Sequence, residues 1–314
     1  MLLSSGQFIH GFPACFYVQY LGLYTAKPLC KGFISLKSSS RFFPVEIIRA
    51  EVRDTYFEDT YSVKPNNSSD KTVEISLIHL QPKINAKSNQ VLLIHDVFQT
   101  HWQFDEPPYS SLANQLLEAG FSVWLMDWRA HGASKKNKDD SQNYLLNMAQ
   151  YDLPAVVQFI NEKRNAPIQM ISIGYGAQMA LHSINYTLPI AHYYCVNAKP
   201  VKSKKRYWIP GIKLLKRLKL VGKSWIKGAG TEFEHQSFFR HELKRHGLLS
   251  SFTFKEGKEA LQAMKGVANT IVWVATNKKG VALAKRHLKQ QARVQRILEK
   301  DVTPTLLELV IKQS

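Results

Sequence analysis

The chain has little cysteine: three in 314 residues, Cys15, Cys30 and Cys195, odd in number and far apart. That excludes a disulfide framework, gives no metal-ligand spacing and fits a reducing compartment, with Cys195 read as a buried free thiol in an apolar strand. No run of about 18 apolar residues occurs, so no transmembrane helix is expected. The segment Gly11–Ala26 is aromatic and mildly apolar, but Pro13 and Gln19 interrupt it and no basic residue precedes it. It makes a weak signal peptide and reads as a surface-packed extension or as a start upstream of the true one. The expected location is cytoplasmic, with peripheral placement at the inner face of a membrane as an extension of that reading. Acid is missing too: no Asp or Glu occurs from 163 to 231, nor from 260 to 298.

What is present is a core and a segregated charge. At 45% hydrophobic residues the chain can bury a full interior. The formal net charge is +18, yet residues 1–198 hold 16 basic and 16 acidic residues, so the whole excess lies in 199–314, with 26 basic and 8 acidic. Such asymmetry points to an anionic partner: a membrane surface, an acidic protein or a nucleic acid. Solubility alone does not explain the segregation.

Residues 1–41 have no clear periodicity and read as an irregular extension. Val45–Arg53 and Thr72–Gln81 read as strands, with the loop Pro65–Ser69 between them. From Gln90 onward strands and helices alternate, which predicts a mostly parallel sheet with helices on both faces. The predicted strands are Val91–His95, Phe121–Asp127, Ile168–Ile173, Ile190–Val196, Thr270–Ala275 and Val294–Leu298. The predicted helices follow Ser110 or Ser111 (closing at Gly120) and Asp152, then cover Ala177–Tyr186, Val281–Gln291 and Pro304–Lys312, with Thr303 as a cap. Residues 199–268 break the rhythm. The expected organisation is therefore a core of 42–198 plus 269–314, interrupted by a basic insertion at 199–268.

Four motifs in this order resemble the α/β-hydrolase superfamily, in particular its acid-lipase-like and bacterial lipase-like members. They are Val91-Leu92-Leu93-Ile94-His95-Asp96, Asp127-Trp128-Arg129-Ala130-His131-Gly132-Ala133-Ser134, Tyr151-Asp152-Leu153-Pro154-Ala155, and Ile173-Gly174-Tyr175-Gly176-Ala177-Gln178 after the strand at 168. The resemblance covers residues 72–198 well and the last 45 residues only by pattern. It implies a cap or lid inserted after the sixth strand, where the basic insertion 199–268 falls, acyl-transfer chemistry at a G-x-S-x-G elbow, and a triad in the chain order Ser, Asp or Glu, His.

The chemistry fails position by position. With Gly176 read as the centre of the elbow Gly174–Gln178, the nucleophile position has no side chain. Ser172 lies within the strand and Tyr175 beside the turn. The loops expected to hold the acid, Asn197–Pro200 and Thr276–Gly280, contain none, and the loop Glu299–Pro304 has no histidine. His287 reads as a solvated helix residue. In the oxyanion loop, His95 is followed by Asp96 where the family usually has Gly; a carboxylate facing the pocket would oppose a developing oxyanion by ~4 kcal/mol at 4 Å and effective dielectric 20. Whether it faces the pocket or turns away stays open. His131 and Ser134 read as parts of a surface turn shaped by Arg129 and Gly132, and His95 with His101 lacks the further ligands of a metal site. No cofactor or metal is expected.

Lys199–Lys227 holds 11 basic residues and no acid. Leu214, Leu215, Leu218, Val221 and Trp225 fall on one helical stripe, with Lys213, Lys216, Arg217, Lys219 and Lys223 around it. Two readings stand: a basic amphipathic helix at an anionic membrane, or a helix packing its stripe on the core. Nucleic acid ranks lower, for want of a recognised motif. The expected function is thus a catalytically impaired hydrolase-like protein that binds an acyl or apolar ligand, an anionic membrane surface or a partner. The alternative is an active esterase or lipase with a non-standard nucleophile.

Overall fold

Long apolar runs and their turns settle most of the architecture. A computed structural model describes residues 37–186, 188–199, 211–244, 251–288 and 293–313. The extension before residue 37, with Cys15 and Cys30, lies outside them, as do 200–210 and the side chains of Lys213 and His287. Ten strands form one sheet: β1 (Lys37–Ser39), β2 (Pro44–Val52), β3 (Tyr56–Val63), β4 (Ile75–Pro82), β5 (Gln90–Ile94), β6 (Ser122–Met126), β7 (Ile168–Ile173), β8 (Ile190–Val196), β11 (Ile271–Ala275) and β12 (Arg293–Arg296). Their order is β1-β2-β3-β4-β6-β5-β7-β8-β11-β12. Strands β1 to β4 pair antiparallel, β4 joins β6 antiparallel, and every pair beyond is parallel.

Helices α1 (Leu112–Glu118), α2 (Leu153–Lys163), α3 (Gly174–Ser183), α7 (Lys278–Leu288) and α8 (Val302–Lys312) accompany the sheet. Strands β5, β6 and β7 are buried along their whole length, as parallel strands covered on both faces must be. Alternate residues feed two cores. Leu92, Ile94, Trp124 and Met126 enter one with Val156 and Ile160 of α2, while Val91, Leu93, Val123 and Leu125 enter the other with Leu112 and Leu116 of α1 and Leu306 of α8.

Between β8 and β11 come α4 (Ile212–Leu218), the hairpin of β9 (Trp225–Lys227) and β10 (Phe233–His235), α5 (Gln236–Lys244) and α6 (Ser251–Gly266).

Several local expectations need correction. The sequence predicted two early strands; β3 lies between them, its apolar residues interleaved with Glu58 and Asp59. Asp152 does not cap α2: its carboxylate turns inward to Arg129. Ser111 stands at the start of α1 but in a left-handed conformation without a side-chain cap bond. Thr303 lies inside α8 and donates to the Pro108 carbonyl, 2.9 Å. The stripe Leu214–Trp225 is not one helix, because α4 ends at Leu218 and Gly222, at φ +75°, turns the chain into β9.

Candidate active site

In an open α/β sheet, ligands meet the carboxyl ends of the strands where the connections diverge. Here that place lies beyond β5 and β7. Strand β7 ends at Ile173, and the next residue, Gly174, takes φ +56° as it opens α3. This left-handed turn is the apex of the elbow, so the apex is Gly174 and not Gly176. The pattern is therefore Ser172-Ile173-Gly174-Tyr175-Gly176, with Ser172 at the first glycine position and Gly174 where a nucleophile would stand. Gly176 is inside α3, where a Cβ would press on the His95 carbonyl. Ala177 and Gln178 are buried within the helix.

Asp96, at the end of β5, faces this apex. A Cβ on Gly174 would collide with the Asp96 carboxylate. Its Oδ1 accepts the Tyr175 amide at 2.6 Å and the Val97 amide at 2.8 Å. In this fold the amide after the nucleophile and one from the loop after the first parallel strand are the donors that stabilise an oxyanion. Both are engaged by a carboxylate of the chain itself. Burial pushes the Asp96 pKa up, opposed by the Tyr175 amide, the Lys199 ammonium and the Val97 amide. The loop is fixed from behind: the His95 ring bonds the Asp96 carbonyl through Nδ1, 2.8 Å, and accepts the Trp128 amide at Nε2, 3.1 Å. Burial lowers the His95 pKa to about 3, so the ring is neutral, with Nδ1–H pointing at the carbonyl.

Aromatic side chains pack beside Tyr175. The Tyr175 ring meets Phe238 edge-on at 5.3 Å, and Phe98 stacks on Phe239 at 5.6 Å. Gly228 and Gly230 of the hairpin loop lie so close to Phe98 that a Cβ on either would strike it.

The other reactive groups are turned away. Ser172 is fully buried, its hydroxyl on the Tyr194 carbonyl. Burial pushes the Cys195 thiol up to about 12, which makes it inert. Asn197 stands where one acid is expected; its Oδ1 accepts the Thr276 amide and hydroxyl, at 3.0 and 3.2 Å, tying the two acid-bearing loops together without an acid.

The second motif is no surface turn. Arg129 is fully buried and forks onto Asp152, Nε to Oδ2 at 2.7 Å and Nη2 to Oδ1 at 2.5 Å. His131 is buried and bridges outward: Nδ1 bonds the Arg129 carbonyl at 2.9 Å and Nε2 the Glu234 carboxylate at 3.1 Å. Asp127 receives the His101 ring at 2.8 Å, the His101 amide at 2.7 Å and the Ala133 amide at 2.9 Å. Ser134 accepts the Ser76 amide, 2.8 Å, and donates to the Asp127 carbonyl, 3.1 Å. His101 also lines a cavity of about 600 Å³ beside β2 and β3, with Arg49, Tyr56 and Trp102.

Comparison with known proteins gives the frame for this geometry. Est1E of Butyrivibrio proteoclasticus, with ferulic acid bound, superposes with a TM-score of 0.54 at 14% identity, covering 78% of this chain and 97% of that one. A cold-adapted esterase from an Arctic intertidal metagenomic library gives 0.52 at 12% identity, over 85% and 97%. The chain has an α/β-hydrolase fold. The haloalkane dehalogenase DatA of Agrobacterium tumefaciens C58 shares it as well, with a TM-score of 0.51 at 9% identity over 82% of this chain and 97% of that one. At these identities the likeness concerns fold alone.

By sequence, human lipase member M is 30% identical over 181 residues, 52% of this chain and 41% of its own length. Rat gastric triacylglycerol lipase is 29% identical over 129 residues, 38% of this chain and 30% of its own length. The chain thus matches less than half the length of these lipase relatives. No protein-family model matches it. Among the described residues, no helix of this hydrolase-fold chain is long and apolar enough to cross a membrane.

Proposed function

We propose that this chain is a hydrolase-fold protein that acts by binding and not by acyl transfer at its elbow. One observation carries the reading: the Asp96 carboxylate holds both amides, Tyr175 and Val97, that an acyl-transfer intermediate requires, above an apex residue without a side chain. When ionised, the Asp96 carboxyl in that position opposes a second anion by ~4 kcal/mol at 4 Å and effective dielectric 20. Loss of an active serine alone costs on the order of 10⁶ in turnover in subtilisin. Here the nucleophile, acid and base positions are altered together.

Tyr175, beside the apex, packs with Phe238, Phe239 and Phe98 into one group of rings. A serine-reactive fluorophosphonate probe tests the catalytic half of the reading. The expected result is no stoichiometric labelling and no p-nitrophenyl ester hydrolysis that survives purification. Stoichiometric labelling at one residue, with ester hydrolysis abolished by changing that residue, overturns it.

A further inference from the structure

The segment between β8 and β11 presents apolar side chains to solvent instead of to the core. Leu214, Leu215 and Leu218 of α4 are 60%, 62% and 56% exposed, and Val221 in the following turn is 65% exposed. Trp225 and Phe233 sit directly on the outer face of the hairpin, while Ile226 and Glu234 between them point inward. Glu234 is spent on His131. Six large apolar residues in twenty positions are thus left in water, although isolated exposed apolar residues are all that a surface needs.

The same surface is basic. Arg217, Lys219, Lys223 and Lys227 are exposed, Lys216 stands between them on α4, and residues 211–227 include no acid. Lys136, from the turn after β6, adds its ammonium 5.5 Å from the centre of the Trp225 ring. Contiguous lysine with leucine, and tryptophan at the margin, matches the chemistry of an interface between lipid headgroups and acyl chains: apolar side chains enter the boundary, indole sits at headgroup depth, and ammonium groups meet lipid phosphates and carboxylates. A protein partner fits less well, because lysine is depleted at protein–protein interfaces. Nucleic acid would engage the lysines but leave Leu214, Leu215 and Val221 without a role.

We infer that the α4–β9 face is a docking site for an anionic lipid surface, entered by Leu214, Leu215, Leu218 and Val221 and held by the surrounding lysines and Arg217. It is a site for reversible surface attachment and is independent of whether the elbow transfers acyl groups. Each cation near an anionic leaflet adds about fivefold to partitioning, an effect that fades within a Debye length and with salt.

The test uses the full chain with sedimented vesicles of phosphatidylcholine alone and of phosphatidylcholine with phosphatidylserine in equal parts. Binding is expected only to the second, weakening as salt rises. The triple variant Lys216→Glu, Arg217→Glu, Lys219→Glu should lose at least about 100-fold in partitioning. The pair Leu214→Ser, Leu215→Ser should also lose binding while its circular dichroism is unchanged, which separates a lost surface from a lost fold. Equal binding to both vesicle types, or to neither, overturns the inference. So does vesicle binding that survives the serine pair, since that is charge attraction without insertion. Self-association abolished by the serine pair, in a chain that ignores vesicles, assigns the face to a second copy and overturns it too.

Discussion

The carboxyl end of the sheet and the α4–β9 face are both places where a protein of this fold could meet another molecule, and they are finished in opposite ways. At the elbow the turn amides are answered from within: Asp96 takes the Tyr175 and Val97 amides, His95 holds the Asp96 carbonyl, Glu234 takes His131, and Tyr175 packs on Phe238. On the α4–β9 face nothing within the described chain covers the leucines, and the lysines have no neighbouring acid in sequence. A site satisfied from within has little left to offer a ligand. A surface that leaves leucines in water retains a driving force for association.

The contrast predicts a steep difference in what substitutions cost. Arg129→Ala strands the buried Asp152 carboxylate and should destabilise by roughly 3–5 kcal/mol, read from urea unfolding. Gly174→Ser comes next, since φ +56° and the Asp96 carboxylate both stand against a side chain; it should cost about 1–3 kcal/mol. Asp96→Gly in the same chain should recover part of that loss, a coupling on the order of 1 kcal/mol that appears only if the two positions contest one space. Leu215→Ser, on the exposed face, should change stability by no more than about 0.5 kcal/mol. A large loss at Leu215 would place that residue in the core and dissolve the comparison.

The pH dependence sharpens the same divide. Burial pushes the His131 pKa down, but the Glu234 carboxylate and the Arg129 carbonyl outweigh it, and the folded value stands above the ordinary one. A raised folded pKa means that this contribution is complete below the unfolded value of about 6.5 and is lost as pH rises through the folded value. His79 and His95 run the other way. Burial holds each near 3, so the folded state resists their protonation and stability falls as pH drops below about 6.5. Glu234→Gln should therefore flatten the alkaline limb of an unfolding-midpoint profile and leave the acid limb in place, a smaller effect than the Arg129 loss.

Much of the fold can be read in the sequence because parallel strands buried on both faces are uninterrupted apolar runs: Ile168–Ile173 and Ile190–Val196 are strands with the predicted bounds. Tyr56–Val63 escaped because a half-buried antiparallel strand admits Glu58 and Asp59. The elbow's residues were identified, but not its apex. Two glycines two positions apart offer two registers, and the sign of φ that separates them is a backbone property. The spacing of Ser172 and Gly176 around Gly174 was the available signal. The direction of the Asp96 carboxylate could not be read, because its partners are amides, which every residue but proline carries. The same limit hid the Arg129–Asp152 fork, where Asp152 in a cap position looked like a cap. The amphipathic stripe failed at Gly222, whose positive φ ends a periodicity that the side chains alone continue.

The central claim is that the Asp96 carboxylate occupies the two amides of the elbow, and amide resonances report on it directly. In a nitrogen-15-labelled chain, Tyr175 and Val97 should show downfield amide protons protected from exchange, and Asp96→Ala should shift both upfield and speed their exchange while distant amides stay put. If neither amide moves, the carboxylate lies elsewhere and the elbow is open.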